Sequence, residues 1–335
     1  MMERHNIPGV FPVHCSRPLV AVVLAACCSP CPVSAGVKIV PLWPGVPPGS
    51  AGITETEKVV ERGDGKRVVD RSIHDVHRPT LTIHQPDQRP SRPLAALVIC
   101  PGGGLTRIVI DKEGNDLARF LAPHGIVGVV LKFRTARTTG HFYGMGPMEA
   151  DVRRAIRMVR ARAKEWQIDP NKVGVFGFSA GGILAGSAAT RHKPGNPRQS
   201  DPVMRHPTRP DFFAAAYPLL TMKTEVAGSH YQQLLFGKVP TAKQLADHSC
   251  DLNVTRRTPP SFLAHARDDR GVLVDNTLLF ATACRKAGVS CTTFIRDKGG
   301  HGYGVRDLGT PINKWRFAFV DWLKQHKLTT PAVKR

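Results

Sequence analysis

Acidic residues are scarce in this chain. Only 26 Asp and Glu stand against 47 Lys and Arg among 335 residues, a formal charge of +21. That surplus raises the question of an anionic partner such as nucleic acid, a membrane or an acidic polymer, but net charge governs solubility and encounter rather than fold. Disorder is excluded by the 41% of residues that are hydrophobic. No Gly-X-Y period and no heptad repeat occurs, so collagen and coiled coil are out. Neither G-x-G-x-x-G nor G-x-x-x-x-G-K-[ST] is present, which weakens any nucleotide-binding assignment. Long apolar runs are missing as well. The run at 19–28 is far short of the roughly 20 residues that a membrane-spanning helix needs.

That short run instead fits an export leader. Arg4 and Arg17 precede it, and Val33-Ser34-Ala35 offers small residues at a cleavage site. Residues 1–35 are therefore expected to be a signal peptide, making the mature protein periplasmic or extracellular. The rival is Leu24-Ala25-Ala26-Cys27, a lipoprotein-like box that would tether the chain through Cys27; the mass of the mature amino terminus distinguishes the two. Removing Arg4, Arg17 and Glu3 with the leader changes the net charge by only one, so the surplus belongs to the mature chain. Four cysteines go with the leader. The others, Cys100, Cys250, Cys284 and Cys291, show no Cys-x-x-Cys or Cys/His zinc spacing and are expected as free thiols, although export would permit a Cys284–Cys291 disulfide.

The remaining chain, 36–335, reads as one α/β domain. Residues 41–52 form a Pro/Gly-rich entry arm. Glu57–Glu61 and Arg67–Ile73 flank Asp64-Gly65, a hairpin signal, and Thr80–His84 is a further strand. Strand and helix then alternate. Strands are expected at Ala95–Cys100, Ile126–Leu131, Lys172–Phe178, Phe212–Tyr217, Ser261–Ala266 and Cys291–Arg296. Helices are expected at Asp111–Leu121, Met148–Trp166, Ser179–Thr190, Asp275–Ala287 and Ile312–His326. Alternation of this kind implies a mainly parallel sheet flanked by helices, led by an antiparallel hairpin. Residues 191–210 and 222–258 break the pattern and are expected to be insertions over the sheet edge.

Four features carry chemistry. Gly177-Phe178-Ser179-Ala180-Gly181 is a G-x-S-x-G between a strand and a helix, the context in which a serine sits on a strained turn beside a helix N-terminus. Pro101-Gly102-Gly103-Gly104 follows another strand and can offer the N–H of Gly103 or Gly104, with that of Ala180, as an oxyanion hole. His301 lies in the glycine-rich Lys298-Gly299-Gly300-His301-Gly302-Tyr303-Gly304 after the last strand and is the expected base. The orienting acid is expected at Asp268 or Asp269; the register after His265 favours Asp269. The order Ser179, Asp269, His301 is that of α/β-hydrolases. Such a mechanism calls for no metal and no cofactor.

Together these residues resemble the α/β-hydrolase superfamily, and within it a bacterial, often secreted group of acetylesterase-like serine hydrolases related to acetylxylan and feruloyl esterases and often found near xylanases. The resemblance runs from about 40 to 325, over a set of motifs more specific than any one of them. Its segments are 98–104, Asp-Lys-Glu-Gly at 111–114, 130–134, 149–157, 168–175, 177–182, 209–212, 258–266 and 298–304. It implies a serine carboxylic-ester hydrolase acting on acetylated or otherwise short-acylated carbohydrate, and the family register also favours Asp269. Leu105, the loop Thr135–Pro147 and Val272-Leu273-Val274 depart from the pattern, and all three touch the expected acyl and sugar pocket. Feruloyl ester cleavage, a prolyl-type peptidase and a catalytically silent glycan-binding module are the alternatives. Arg153, Arg154, Arg157, Arg160, Arg162 and Lys164 are expected to be the solvated face of an amphipathic helix. With no aromatic residues interleaved, nucleic acid is set aside as a partner. An acidic polysaccharide is the anionic partner left open.

Overall fold

The computed structural model describes residues 36–64, 68–87 and 92–330. The leader, with its cleavage site and Cys27, and Gly65 of the hairpin signal lie outside the described residues. In chain order the strands are β1 Lys38–Pro41, β2 Lys58–Glu61, β3 Arg71–His74, β4 Thr80–His84, β5 Leu94–Cys100, β6 Arg107–Val109, β7 Ile126–Lys132, β8 Arg137–Thr138, β9 His141–Phe142, β10 Ile168–Phe178, β11 Phe213–Ala216, β12 Ser261–Ala266 and β13 Cys291–Arg296. The helices are α1 Asp116–Leu121, α2 Met145–Ala161, α3 Gly181–Thr190, α4 Thr224–Phe236, α5 Ala242–His248, α6 Asp275–Lys286 and α7 Trp315–Gln325.

Eight strands form one sheet in the order β1-β4-β7-β5-β10-β11-β12-β13. β1, β4 and β7 pair antiparallel, and β7 through β13 pair parallel. Every residue of β5, β11 and β12 is buried, as continuous apolar runs must be when helices cover both faces of a parallel sheet. β13 closes the edge and is the half-exposed member. Every parallel strand of this sheet points its carboxyl end the same way, so the loops after β5, β10, β11, β12 and β13 gather on one rim.

Several boundaries shift for local reasons. Lys38–Pro41, just ahead of the Pro/Gly-rich arm and without an element assigned from sequence, is a strand. The hairpin forms with Glu61 opposite Arg71, so its second strand is shorter and its connection longer than an Asp-Gly turn would make it. Helix α2 starts earlier than expected, with Pro147 in its first turn, where a missing N–H costs nothing. It also ends sooner, at Ala161. Asp111–Asn115 is a π-helical turn that runs into α1. Parts of the two segments expected as insertions pack on helices. Residues 191–210 follow α2, and the turn at Cys250–Asn253 meets α3 and α6.

The basic helix face is corrected by the same packing. Arg154, Arg157 and Arg160 are buried, not solvated. Arg154 pairs with Asp201, Arg157 donates to the carbonyls of His206 and Pro194, and Arg160 pairs with Asp211. Periodicity had shown that this face was polar; it could not show that residues 191–211 supply the carboxylates and carbonyls that cover it. Cys100, Cys250, Cys284 and Cys291 are free thiols. Among the described residues, no helix is long and apolar enough to cross a membrane.

Candidate active site

β10 ends in Phe178, and Ser179 follows with φ = +47°. A non-glycine residue in that region costs on the order of 1–3 kcal/mol, so the surroundings must hold it there. They do so through the backbone. Ser179 N–H donates to Ala216 O at 3.2 Å, and Ser179 O accepts from Gly182 and Leu219 N–H at 2.9 Å each. The flanking glycines are needed for space. A Cβ on Gly177 would lie 2.6 Å from Gly182 Cα, and one on Gly181 would lie 2.3 Å from Cys100 O. The serine is thereby aimed off the sheet rim with α3 directly behind it.

His301 stands in the loop after β13. Its Nε2 is 2.8 Å from Ser179 Oγ, and its Nδ1 is 2.8 Å from Asp269 Oδ2. Asp269 lies in the turn after β12. Its Oδ1 accepts from the N–H groups of Gly271 and Val272, and Oδ2 is also 3.2 Å from His265 Nε2. His265 Nε2 faces a second acceptor, Val272 O, so that nitrogen carries a proton, while Nδ1 meets the Thr277 hydroxyl. Burial alone would raise the Asp269 carboxyl, but the bonds from His265, His301 and Val272 outweigh it and bring it down to about 2. The acid therefore remains a carboxylate across the range in which a histidine can act as a base. Asp268 points elsewhere. It accepts the Gly300 N–H at 2.8 Å and so ties down the histidine loop from the other side.

Gly103 and Gly104 follow β5 with φ of +128° and +65°, and a Cβ on Gly103 would lie 2.2 Å from Arg107 O. Among the described residues, the N–H groups of Gly103, Gly104 and Ala180 have no protein acceptor. Gly103 and Ala180 are buried, where an unpaired donor is rare; Ala180 adjoins the serine, and a Cβ on Gly102, next to Gly103, would lie 2.8 Å from Ser179 Cβ. The loop is held by its own turn, with Thr106 and Arg107 N–H donating to Gly103 O.

Two residues to which no role was assigned from sequence complete the site. Glu113, in the π-helical turn, is buried; its Oε2 accepts Gly102 N–H at 2.9 Å and its Oε1 accepts the Tyr217 hydroxyl at 3.0 Å. Burial pushes the Glu113 carboxyl up, opposed by Tyr217, the His301 and Lys112 charges and the Gly102 N–H. Tyr217, just after β11, also has positive φ, and its ring meets that of His301 edge-on at 4.9 Å. The sequence signal for Glu113 was its place in Asp-Lys-Glu-Gly, which marked a match without a partner. Among the described residues, no cluster of three or more His, Cys, Asp or Glu side chains is placed to hold a metal ion.

The profile of the BD-FAE family matches residues 81–283, well over half of the chain. The protein belongs to the BD-FAE family. That family match spans β4 to α6 and so contains Ser179 and Asp269, while His301 follows it. Among relatives of the chain, an acetylxylan esterase of Xylanibacter ruminicola is 32% identical over 235 residues, 69% of this chain and 42% of that protein. Endo-1,4-beta-xylanase B of Butyrivibrio fibrisolvens is 31% identical over 212 residues, 62% of this chain and 32% of that protein. The chain thus spans less than half the length of these two relatives. An acetyl ester-xyloside bifunctional hydrolase from Caldicellulosiruptor lactoaceticus superposes with a TM-score of 0.73 at 28% identity, covering 89% of this chain and 100% of that one. Esterase 2 of Thermogutta terrifontis, with propionate bound, gives 0.62 at 23% identity, covering 85% of this chain and 98% of that one, and shares the fold. The architecture is that of an α/β-hydrolase.

Proposed function

We propose that this BD-FAE protein is a serine esterase that removes acetyl or other short acyl groups from carbohydrate. The observation that carries the proposal is the continuous hydrogen-bonded line Ser179–His301–Asp269, with unpaired N–H groups beside its nucleophilic end. Asp269 accepts the Nδ1 proton of His301, which leaves Nε2 free to take the Ser179 proton as Oγ attacks the ester carbonyl. The carbonyl oxygen, now an anion, lies against Ala180 N–H and that of Gly103 or Gly104; each such donor contributes on the order of 3 kcal/mol to acyl transfer. As the anion collapses and the ester C–O bond breaks, His301 gives its proton to the departing sugar oxygen, leaving the acyl group on Ser179. Water, deprotonated by His301 in its turn, releases the acid and restores Ser179. No step draws on a metal or a cofactor.

The acyl and sugar preference is supported by the acetylxylan esterase and the acetyl ester-xyloside hydrolase among the relatives. The test is acetate and ferulate release from acetylated and feruloylated xylan oligosaccharides, with the Ser179→Ala variant as control. Acetate should dominate, and Ser179→Ala should lose about 10⁴- to 10⁶-fold in kcat. Retained turnover by the variant would remove Ser179 from the reaction, and dominant ferulate release would overturn the acyl preference.

A further inference from the structure

Glu113 touches neither Ser179 nor His301, yet it sits between the two loops that serve them. Its two carboxyl oxygens are used in different directions. Oε2 takes the N–H of Gly102, the residue before the two glycines of the oxyanion loop. Oε1 takes the hydroxyl proton of Tyr217. That same Tyr217 oxygen accepts the N–H of Gly304 at 3.0 Å, three residues after His301. One buried carboxyl therefore joins the loop after β5 to the loop after β13, through the single side chain that follows β11.

The roles in this bridge follow from its donors. Gly304 N–H can only donate, and takes one lone pair of the Tyr217 oxygen, while the Tyr217 proton goes to Glu113 Oε1. Gly102 N–H can only donate as well, so Glu113 Oε2 must accept. The space is equally committed, since a Cβ on Gly102 would lie 2.4 Å from Glu113 Oε2 and 2.8 Å from Ser179 Cβ. Glu113 and Ser179 thus both crowd Gly102, and any movement of the carboxyl moves the backbone that presents Gly103 and Gly104. The edge-on contact of Tyr217 with the His301 ring sets the other end.

We infer that Glu113 is a positioning residue which, through Tyr217, holds the oxyanion loop Gly102–Gly104 and the histidine loop His301–Gly304 at a fixed separation. The inference rests on the esterase reading of Ser179 and His301. Its consequence is specific. Glu113→Gln has one acceptor oxygen where the carboxylate has two, so its NH₂ group faces either the Gly102 N–H or the Tyr217 hydroxyl, and one end of the bridge is released. Tyr217→Phe breaks both the Glu113 and the Gly304 bonds at once.

The experiment measures kcat and KM on p-nitrophenyl acetate for the full chain and for Glu113→Gln, Tyr217→Phe and the double variant. Rates are expressed per active site, counted by complete fluorophosphonate labelling. That count removes unfolded protein from the comparison, so a residue that only supported the fold would leave kcat per site unchanged. Each single variant should lose about 10- to 100-fold in kcat per site, less than the full loss of an oxyanion donor, with KM within about threefold. The double variant should lose no more than the worse single one, because both break one bridge. Glu113→Gln and Tyr217→Phe both within twofold of the parent would overturn the inference, as would losses that multiply in the double variant. If Ser179→Ala remained active, the esterase reading itself would fail, a result separate from either of these.

Discussion

Replacing Asp269 by asparagine is a one-atom change whose effect follows from who donates to each oxygen. Oδ1 receives two backbone N–H groups, from Gly271 at 2.8 Å and Val272 at 2.9 Å. Those donors require an acceptor, so the asparagine carbonyl must turn toward them. The NH₂ group then occupies the Oδ2 position, 2.8 Å from His301 Nδ1 and 3.2 Å from His265 Nε2. Facing a donor, His301 Nδ1 becomes an acceptor, and the ring proton moves to Nε2. That nitrogen is 2.8 Å from Ser179 Oγ and can no longer take its proton. The expected loss is about 10⁴-fold in kcat, equivalent to roughly 5.5 kcal/mol in the barrier. Asp268→Asn is the internal comparison. Its hydrogen bond from Gly300 N–H can be accepted by an amide oxygen, and its ion pair with the exposed Lys298 is long at 4.0 Å, so kcat should stay within about fivefold of the parent. Both variants are assayed on a short p-nitrophenyl ester, with thermal unfolding recorded alongside. Asp269→Asn within tenfold of the parent, or Asp268→Asn the more damaging of the two, would refute the assignment.

Two further outcomes concern the scaffold. Gly181→Ala places a methyl 2.3 Å from Cys100 O and 2.5 Å from Pro101 O; since backbone cannot yield as a side chain can, soluble folded protein or labelling of Ser179 should be lost, and a normally folded, active Gly181→Ala would contradict the packing at this turn. Glu149 supplies the pH dependence. Burial alone would raise its carboxyl, but the His248 ring, the Arg153 guanidinium, the Ser187 hydroxyl and Arg191 bring it to about 2 from 4.5. A depressed folded value lends stability that is complete above about 4.5 and fades as pH falls toward 2, at most on the order of 3 kcal/mol. Chemical denaturation across pH 6 to 3 should therefore show a flatter profile for Glu149→Gln than for the parent, and parallel profiles would refute the assignment.

Legibility from sequence varied with the range of the interaction. The buried strands β5, β7, β10, β11 and β12 were visible as apolar runs, because covering both faces of a sheet leaves no polar position to alternate with. Val152, Ile156 and Val159, at spacings of four and three, put one face of α2 in the core, but its polar face was misjudged. Arg154, Arg157 and Arg160 looked like solvent-facing charge until residues 191–211 were seen to fold over them. This changes where the charge sits: Arg154 and Arg160 are paired with Asp201 and Asp211 and add nothing to the +21 surplus, while Arg157 is buried on carbonyls rather than offered to a partner. Glu113 and Tyr217 carried no readable signal as a pair, because they are 104 residues apart and neither belongs to a chemical motif.

The sequence by itself determined the features that are local or ordinal. These are the strand–turn–helix around Ser179, the small residues its turn requires, the glycine loops at 102–104 and 299–304, and the Ser, Asp, His order. Each depends on neighbours a few residues away, and the sterics of a tight turn write themselves into the chain. Only the tertiary structure set Asp269 rather than Asp268 against His301, buried the arginines of α2 and joined Gly102 to Gly304 through Glu113 and Tyr217. Those outcomes depend on which groups meet across the rim of the sheet. A hydrogen bond selects its partner by distance and direction in space, and neither is a function of separation along the chain.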